Sequence, residues 1–160
     1  MLVGEVVMLA ECVGMPVPVG MHDEHERWPL YQQAMGSPEC REQLMATVAV
    51  DPDPVLVMAV ALAMLGIDRA GRDRWAALAP DEHGRAYATR RAAEHAVLDV
   101  NGDVPELGPE LIATWTDWLQ RTLSEVSTVP EVLRLLAEHG RTKRIRGTAA
   151  GRGHALRRQR

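Results

Sequence analysis

The segment from Asp99 to Glu110 holds the most regular set of oxygen ligands in the chain. Asp99, Asn101 and Asp103 alternate along the sequence, and Glu110 follows eleven residues after Asp99. Calcium takes roughly six to eight oxygen ligands, and carboxylates and amides at this spacing can supply several of them around one point. The sequence therefore offers a candidate calcium site at Asp99, Asn101, Asp103 and Glu110.

This spacing is similar to that of an EF-hand calcium-binding loop, but it departs from the EF-hand pattern. The sixth position, where the backbone must turn sharply, is Val104 rather than glycine, and Pro105 and Pro109 restrict the backbone. A helix that ends at the Asn-Gly pair 101–102, followed by a new helix from Pro109, explains the same residues. We favour this second interpretation.

A second group of possible metal ligands lies at residues 22–26, which combine two imidazoles with three carboxylates: His22, Asp23, Glu24, His25 and Glu26. Such a set binds a divalent cation if its members converge. Trp28 precedes Pro29, and a residue before proline disfavours helical geometry. We therefore interpret the segment as a solvated acidic loop.

Nucleophilic catalysis has little support in the sequence. The chain has three serines, Ser37, Ser124 and Ser127, and Ser37 looks like a helix cap. Three histidines fall on separate predicted helices without a nucleophile nearby in sequence: His83, His95 and His139. No glycine-rich phosphate loop is present. We predict that the protein is not an enzyme and uses no cofactor.

The positive charge is concentrated at the C-terminal end. Residues 141–160 contain no acid, whereas the first 140 residues hold ten cations against all 22 acids. The eight C-terminal cations are Arg141, Lys143, Arg144, Arg146, Arg152, Arg157, Arg158 and Arg160. We predict a flexible basic tail over 147–160 that could neutralise nucleic-acid phosphates. The alternative is a solvated terminus, or one that folds onto the acidic remainder of its own or a neighbouring molecule.

The two cysteines, Cys12 and Cys40, lie in no metal-binding or redox motif. We expect neither a zinc site nor a disulfide, and hence a cytoplasmic protein. The longest apolar run, residues 55–67, is shorter than the roughly 20 residues that span a bilayer. The first twenty residues carry Glu5 and Glu11 and do not resemble a secretory signal. We expect no association with a membrane.

Prolines punctuate the chain in positions typical of helix starts, namely Pro38, Pro54, Pro80, Pro109 and Pro130. Between them, the sequence predicts helices near 29–35, 38–50, 54–65, 69–79, 81–99, 110–126, 130–139 and 142–149. We also assign 2–10 as helix, and we expect the apolar helix near 54–65 to be covered on every side. The predicted fold is all-α, a short antiparallel array of seven or eight helices that forms a bundle or a short α-solenoid.

Two segments carry a resemblance to helical repeat proteins. Residues 44–61, with Asp51-Pro52-Asp53-Pro54 between two predicted helices, resemble the HEAT-like repeats, although Val57 stands where many of these repeats have arginine. Residues 130–137, followed by Ile145-Arg146 and Ala149, are similar to the related leucine-rich repeat variant. The resemblance covers about a third of the chain and implies a scaffold that presents a helical surface to a protein or nucleic acid.

From these observations we predict a bacterial protein-interaction module with a protein partner. Its divisions are an N-terminal segment with an acidic loop over 1–28, a helical domain over 29–146 and the basic tail over 147–160. The alternative function is association with nucleic acid through the eight C-terminal cations. A single calcium-binding loop at 99–110 is a weaker alternative.

Overall fold

The computed structural model describes residues 1–159 and consists of helices joined by short turns. The ten α-helices are α1 (Leu2–Val13), α2 (Glu24–Met35), α3 (Arg41–Ala49), α4 (Pro54–Ile67), α5 (Arg72–Ala77), α6 (Glu82–Asp99), α7 (Pro109–Thr114), α8 (Asp117–Val126), α9 (Pro130–His139) and α10 (Lys143–Arg158). A short 3₁₀-helix, Pro38–Cys40, precedes α3, and no strand forms within residues 1–159. The predicted all-α fold is confirmed, and residues 1–159 form ten α-helices rather than seven or eight.

The chain divides into two compact units, Met1–Ala92 and Ala93–Arg160. Fully buried residues of the N-terminal unit include Leu9, Tyr31, Leu44, Met64 and Trp75. The core of the C-terminal unit includes Ile112, Leu119, Leu123, Leu133 and Leu136. This boundary falls inside α6 and does not coincide with the divisions predicted after residues 28 and 146.

Of the five prolines predicted at helix starts, Pro54, Pro109 and Pro130 are the first residues of α-helices. Pro38 instead begins the 3₁₀-helix, and the prediction for Pro80 is wrong because α6 begins two residues later, at Glu82. Proline fits the first position of a helix because the N–H that it lacks would have no acceptor within the helix. At α4, the Asp53 carboxylate also accepts hydrogen bonds from two first-turn amides, at 2.8 and 2.9 Å. Local sequence thus fixes where these helices begin.

The predicted single helix over 110–126 is wrong, because the chain breaks it at Trp115. Helix α7 ends at Thr114, and α8 begins at Asp117 with Thr116 as its N-cap. The Thr116 hydroxyl accepts from the Leu119 amide at 3.3 Å. A threonine followed by an acid is a helix-start signal, here inside an otherwise continuous apolar stripe.

Helices α2 and α4 also differ from expectation. Helix α2 begins at Glu24, with the Asp23 carboxylate as its cap, and contains Pro29. The acidic segment is therefore partly helical rather than a loop, because only the carbonyl four residues before Pro29 loses its donor. Helix α4 is not covered on every side, since Val55 is 77% and Ile67 46% exposed.

Cys12 and Cys40 form a disulfide, which overturns the prediction that neither cysteine is bridged. The bond ties the last turn of α1 to the 3₁₀-helix before α3. No sequence motif predicts this disulfide, because the pairing of the two cysteines depends on how α1 packs and not on their spacing in the sequence. Disulfides persist mainly in oxidising environments, so the cysteines no longer argue for the cytoplasm. The cytoplasmic location stays a prediction.

A buried ion pair anchors α2 to the turn before α4. The Arg27 guanidinium donates two hydrogen bonds of 2.9 Å to Asp51, and both side chains are at most 1% exposed. Arg27 also donates to the Met21 carbonyl, and the Tyr31 hydroxyl donates to Asp51 at 2.6 Å. Every member of the cluster is therefore hydrogen-bonded, as a buried charge requires.

Gly71 allows a close approach that a larger residue would block. A Cβ at position 71 would overlap the Asp68 carboxylate, which accepts from the buried Trp75 indole at 2.9 Å and from the Gly71 amide. We expect Gly71→Ala to lower the free energy of unfolding by about 2 kcal/mol, because displacing Asp68 leaves the indole N–H unsatisfied.

Denaturant unfolding followed by tryptophan fluorescence measures this effect. Gly4→Ala is the matched control, because Gly4 lies in α1 with open space around its Cα, and there alanine should stabilise by about 0.5–1 kcal/mol. Equal changes in the two variants would contradict the role assigned to Gly71.

The C-terminal segment is helical rather than a flexible tail. Helix α10 runs from Lys143 to Arg158 and buries Ile145 and Ala149 in the C-terminal core. Apolar residues at this spacing give even an arginine-rich segment one face that packs.

No helix within residues 1–159 has the length and apolar character needed to cross a bilayer.

Candidate docking groove and basic face

The eight C-terminal cations serve two different purposes. Arg141, Arg146 and Arg152 donate hydrogen bonds to backbone carbonyls. Lys143, Arg144, Arg157 and Arg158 are exposed, and their side chains make no hydrogen bond or ion pair within residues 1–159. We call these four residues the basic face of α10. Arg160, the eighth predicted cation, lies outside the described residues.

Arg152 caps the C-terminal end of α8. Its guanidinium donates to the carbonyls of Ser127 and Val126, at 2.6 and 2.9 Å. The last carbonyls of a helix lack partners within the helix, and a cation there also interacts favourably with the helix dipole. Arg152 is therefore committed to holding α10 against α8.

Arg141 plays the same part at the end of α7. Its guanidinium donates to the Trp115 carbonyl at 2.9 Å, and its amide donates to the Gln120 side chain at 2.9 Å. Gln120 is buried and donates in turn to the Ile112 and Trp115 carbonyls. The break between α7 and α8 thus has its carbonyls satisfied by two side chains. Arg141 and Arg152 thus each hold a helix end through part of their guanidinium group.

This division of roles predicts unequal effects of removing the arginines. We expect Arg152→Met to lower the free energy of unfolding by about 1–2 kcal/mol, because two helix-end carbonyls lose a charged donor. Arg158→Met, an exposed position on the same helix, should leave unfolding nearly unchanged. Thermal unfolding followed by circular dichroism compares them, and similar losses in both variants would contradict the capping role.

A groove lies between α9 and α10, with a volume of about 520 Å³. Most of its lining is apolar or small: Pro130, Leu133 and Ala137 from α9, and Ala149, Ala150, Gly153 and Leu156 from α10. Arg134, Glu138 and Arg157 complete the lining with charge. We call it the α9–α10 groove.

The α9 side of the groove is an ion-pair network. Arg134 bonds to Glu131 at 2.6 and 2.9 Å and to Glu138 at 2.7 Å. The hydrogen bond from Arg134 lowers the pKa of Glu131 below its usual value. Two acids surround one arginine, which leaves the α9 side with a net negative charge.

The predicted calcium ligands do not come together as a site. Within the described residues, the carboxylates of Asp99, Asp103 and Glu110 do not form a cluster of metal ligands. Instead, the Asn101 and Gly102 amides bond back to the Leu98 and Val97 carbonyls, both at 2.9 Å. This is a helix C-cap with two residues at positive φ, which is the alternative favoured from sequence.

The acidic segment brings three candidate ligands close together. Atoms of Asp23, Glu24 and His25 that could bind a metal lie within 4.8 Å of one another, and all three residues are exposed. Their proximity follows from their adjacent positions at the start of α2, where Asp23 serves as the cap. His22 and Glu26 are not part of the group.

The predicted histidines and two of the serines do not come together in one site. His83 and His139 are exposed, and the half-buried His95 ring meets the Trp118 ring edge-on at 5.3 Å. Ser124 and Ser127 are buried and donate to the carbonyls of Arg121 and Asn101. Sequence reasoning missed the groove altogether, because its two walls come from helices whose relative placement is a tertiary property.

No family model, curated protein or solved structure matches the chain.

Proposed function

We propose that the protein is a non-catalytic protein-interaction module and that the α9–α10 groove is its docking surface. The groove itself is the observation that supports this proposal. It presents apolar lining on two helices, and Ala150 within it is exposed. Apolar surface of this kind, rimmed by charge, is typical of sites that bind another protein.

The resemblance of 44–61 and 130–149 to HEAT-like repeats favours the same function, because such proteins present helical surfaces to partners. The repeat assignment stays a prediction. The helices that it needs are present, with α3 and α4 in the first segment and α9 and α10 in the second.

Site-specific photocrosslinking in the native host tests this function. A photoreactive amino acid replaces Ala150 in the groove or, as a control, Gly151, whose Cα faces open space outside the groove lining. We expect a protein that crosslinks at position 150 and much less at position 151.

The crosslinked protein is then purified and its binding to the full chain is measured. Ala150→Glu should weaken binding at least about tenfold, because it buries a carboxylate in the groove, whereas Gly151→Glu adds the same charge outside it. The proposal fails if no purified partner binds, or if the two variants bind equally well.

Nucleic-acid binding is the second candidate function, and the basic face of α10 favours it. Its four cations project from a helix that contains no acid. Lys143 and Arg144 lie at the positive end of the helix dipole, where cations are unfavourable unless they serve another purpose.

Fluorescence anisotropy with a labelled DNA duplex at several salt concentrations tests this candidate. If all four cations contact phosphates, the log–log salt slope should be about −3.6, and Arg157→Ala/Arg158→Ala should reduce it by about 2. Arg90→Ala, an exposed cation of the N-terminal unit, is the control. No binding at low salt would dismiss this candidate.

A further inference from the structure

The two sides of the α9–α10 groove differ in charge. On the α9 side, Arg134 is already bound by Glu131 and Glu138. On the α10 side, Arg157 lines the groove, and its side chain makes no ion pair within residues 1–159. A bound element would therefore meet a satisfied, net-negative network on one side and an unpaired cation on the other.

The groove also has the dimensions of a short helix. Its lining covers positions 130–138 of α9 and 149–157 of α10, which is about two turns, or roughly 12 Å, along each helix. The α10 side of the groove has small residues at three positions, Ala149, Ala150 and Gly153. Small side chains at a contact allow a second helix to approach closely. Three apolar residues spaced over two turns would fill such a groove.

Addition of a strand is a poor fit to the same surface. An extended peptide binds by pairing its backbone with free N–H and C=O groups at a sheet edge. Both walls here are helices, whose backbone groups bond within the helix. The groove therefore offers side-chain contacts and charge rather than backbone pairing.

Resting on the proposed function, we infer that the partner docks an amphipathic α-helix in the α9–α10 groove, with acidic residues on the flank facing Arg157. Apolar residues of this helix would contact Ala137, Ala150 and Leu156, the apolar lining residues that are partly or fully exposed. Its acidic flank supplies the negative charge that the α10 side lacks, and the same acids would be repelled by the α9 side.

The charges also predict the direction of the bound helix. Arg157 and Pro130 mark one end of the groove, and Glu138 and Ala150 mark the other, because α9 and α10 run antiparallel. The C-terminal end of a helix carries partial negative charge. We expect the partner helix to place its C-terminal end toward Arg157 and its N-terminal end toward Glu138.

Two synthetic peptides test this inference with the full chain. They share one apolar stripe at helical spacing, and one carries glutamate along the flank where the other carries lysine. We expect the glutamate peptide to bind in fluorescence anisotropy and the lysine peptide to bind at least about tenfold more weakly. Arg157→Glu should weaken binding of the glutamate peptide about tenfold and strengthen binding of the lysine peptide.

Control variants separate the groove from general charge effects. Arg90→Glu makes the same charge change at an exposed residue that does not line the groove and should alter peptide affinity less than about twofold. Ala150→Glu should block both peptides, whereas Gly151→Glu should block neither. Circular dichroism and the unfolding midpoint verify that each variant is folded.

Several outcomes would overturn the inference. They are no binding of the glutamate peptide, equal binding of the two peptides, or no response to Arg157→Glu. Binding of duplex DNA that Arg157→Glu abolishes, without peptide binding, would assign the basic face to nucleic acid instead. A partner that crosslinks at position 150 but binds through a basic or non-helical segment would overturn this inference while leaving the proposed function intact.

Discussion

Arg27→Ala is expected to lower the free energy of unfolding by about 3–5 kcal/mol, one of the two largest effects that we predict. Removing the guanidinium leaves the fully buried Asp51 carboxylate with no opposite charge. It also removes two hydrogen bonds to Asp51 and one to the Met21 carbonyl. Denaturant unfolding, extrapolated to water, measures the loss.

Two further variants make the expectation specific to burial. Arg74→Ala breaks a bidentate ion pair with Glu42 of similar geometry, but both partners are exposed. The free energy of unfolding should therefore change little. Arg27→Met/Asp51→Leu removes both charges and should recover much of the stability lost by Arg27→Ala. Equal losses for Arg27→Ala and Arg74→Ala would contradict the prediction.

Tyr31 links the same cluster to pH. Burial and then its hydrogen bond to Asp51 raise the pKa of the Tyr31 phenol above its usual value. The folded state therefore holds the proton more tightly than the unfolded state, so this contribution is complete at neutral pH and is lost as the pH rises above about 10. In Tyr31→Phe, the free energy of unfolding should fall less steeply at alkaline pH than it does in the unmodified protein.

Cys12→Ser/Cys40→Ala is expected to lower the free energy of unfolding by about 3–4 kcal/mol. The disulfide closes a loop between residues separated by 28 positions, and a crosslink of this length restricts the unfolded chain substantially. Without the bond, α1 is held by packing alone, chiefly through Val6, Leu9 and Ala10, which are completely buried in the N-terminal core. Thermal unfolding under non-reducing conditions measures the change.

Reduction of the unmodified protein provides the matched control. Dithiothreitol should lower its unfolding midpoint to that of the double variant and should not affect the variant. Thiol titration of the native protein should detect no free cysteine, in keeping with the bridged pair. An unmodified protein that unfolds identically with and without the reductant would contradict the prediction.

Much of the secondary structure followed from the sequence, because its signals are local. The positions of Pro54, Pro109 and Pro130 at helix starts depend only on the missing proline N–H and on the neighbouring residues. The cap at Asn101 and Gly102 was likewise anticipated, because few residues other than glycine and asparagine adopt positive φ easily. The helix start at Thr116 was missed, because the apolar residues on both sides of it continue with one helical period.

The candidate site was less accessible from sequence. The segment 141–160 was correctly identified as rich in cations, but composition cannot separate Arg152, which caps α8, from Arg157, which lines the groove. Both are arginines on one helix. Their roles differ because α10 turns one toward the carbonyls of residues 126 and 127 and the other toward α9.

The sequence by itself determined an all-helical chain, because proline geometry, capping and apolar periodicity act over a few residues. Only the tertiary structure decided the pairing of Cys12 with Cys40, the burial of Arg27 with Asp51, and the α9–α10 groove. Cys12 and Cys40 are 28 positions apart in sequence, and Arg27 and Asp51 are 24 apart. Their contacts exist because packed helices bring them within reach, and no local pattern records which helices will pack.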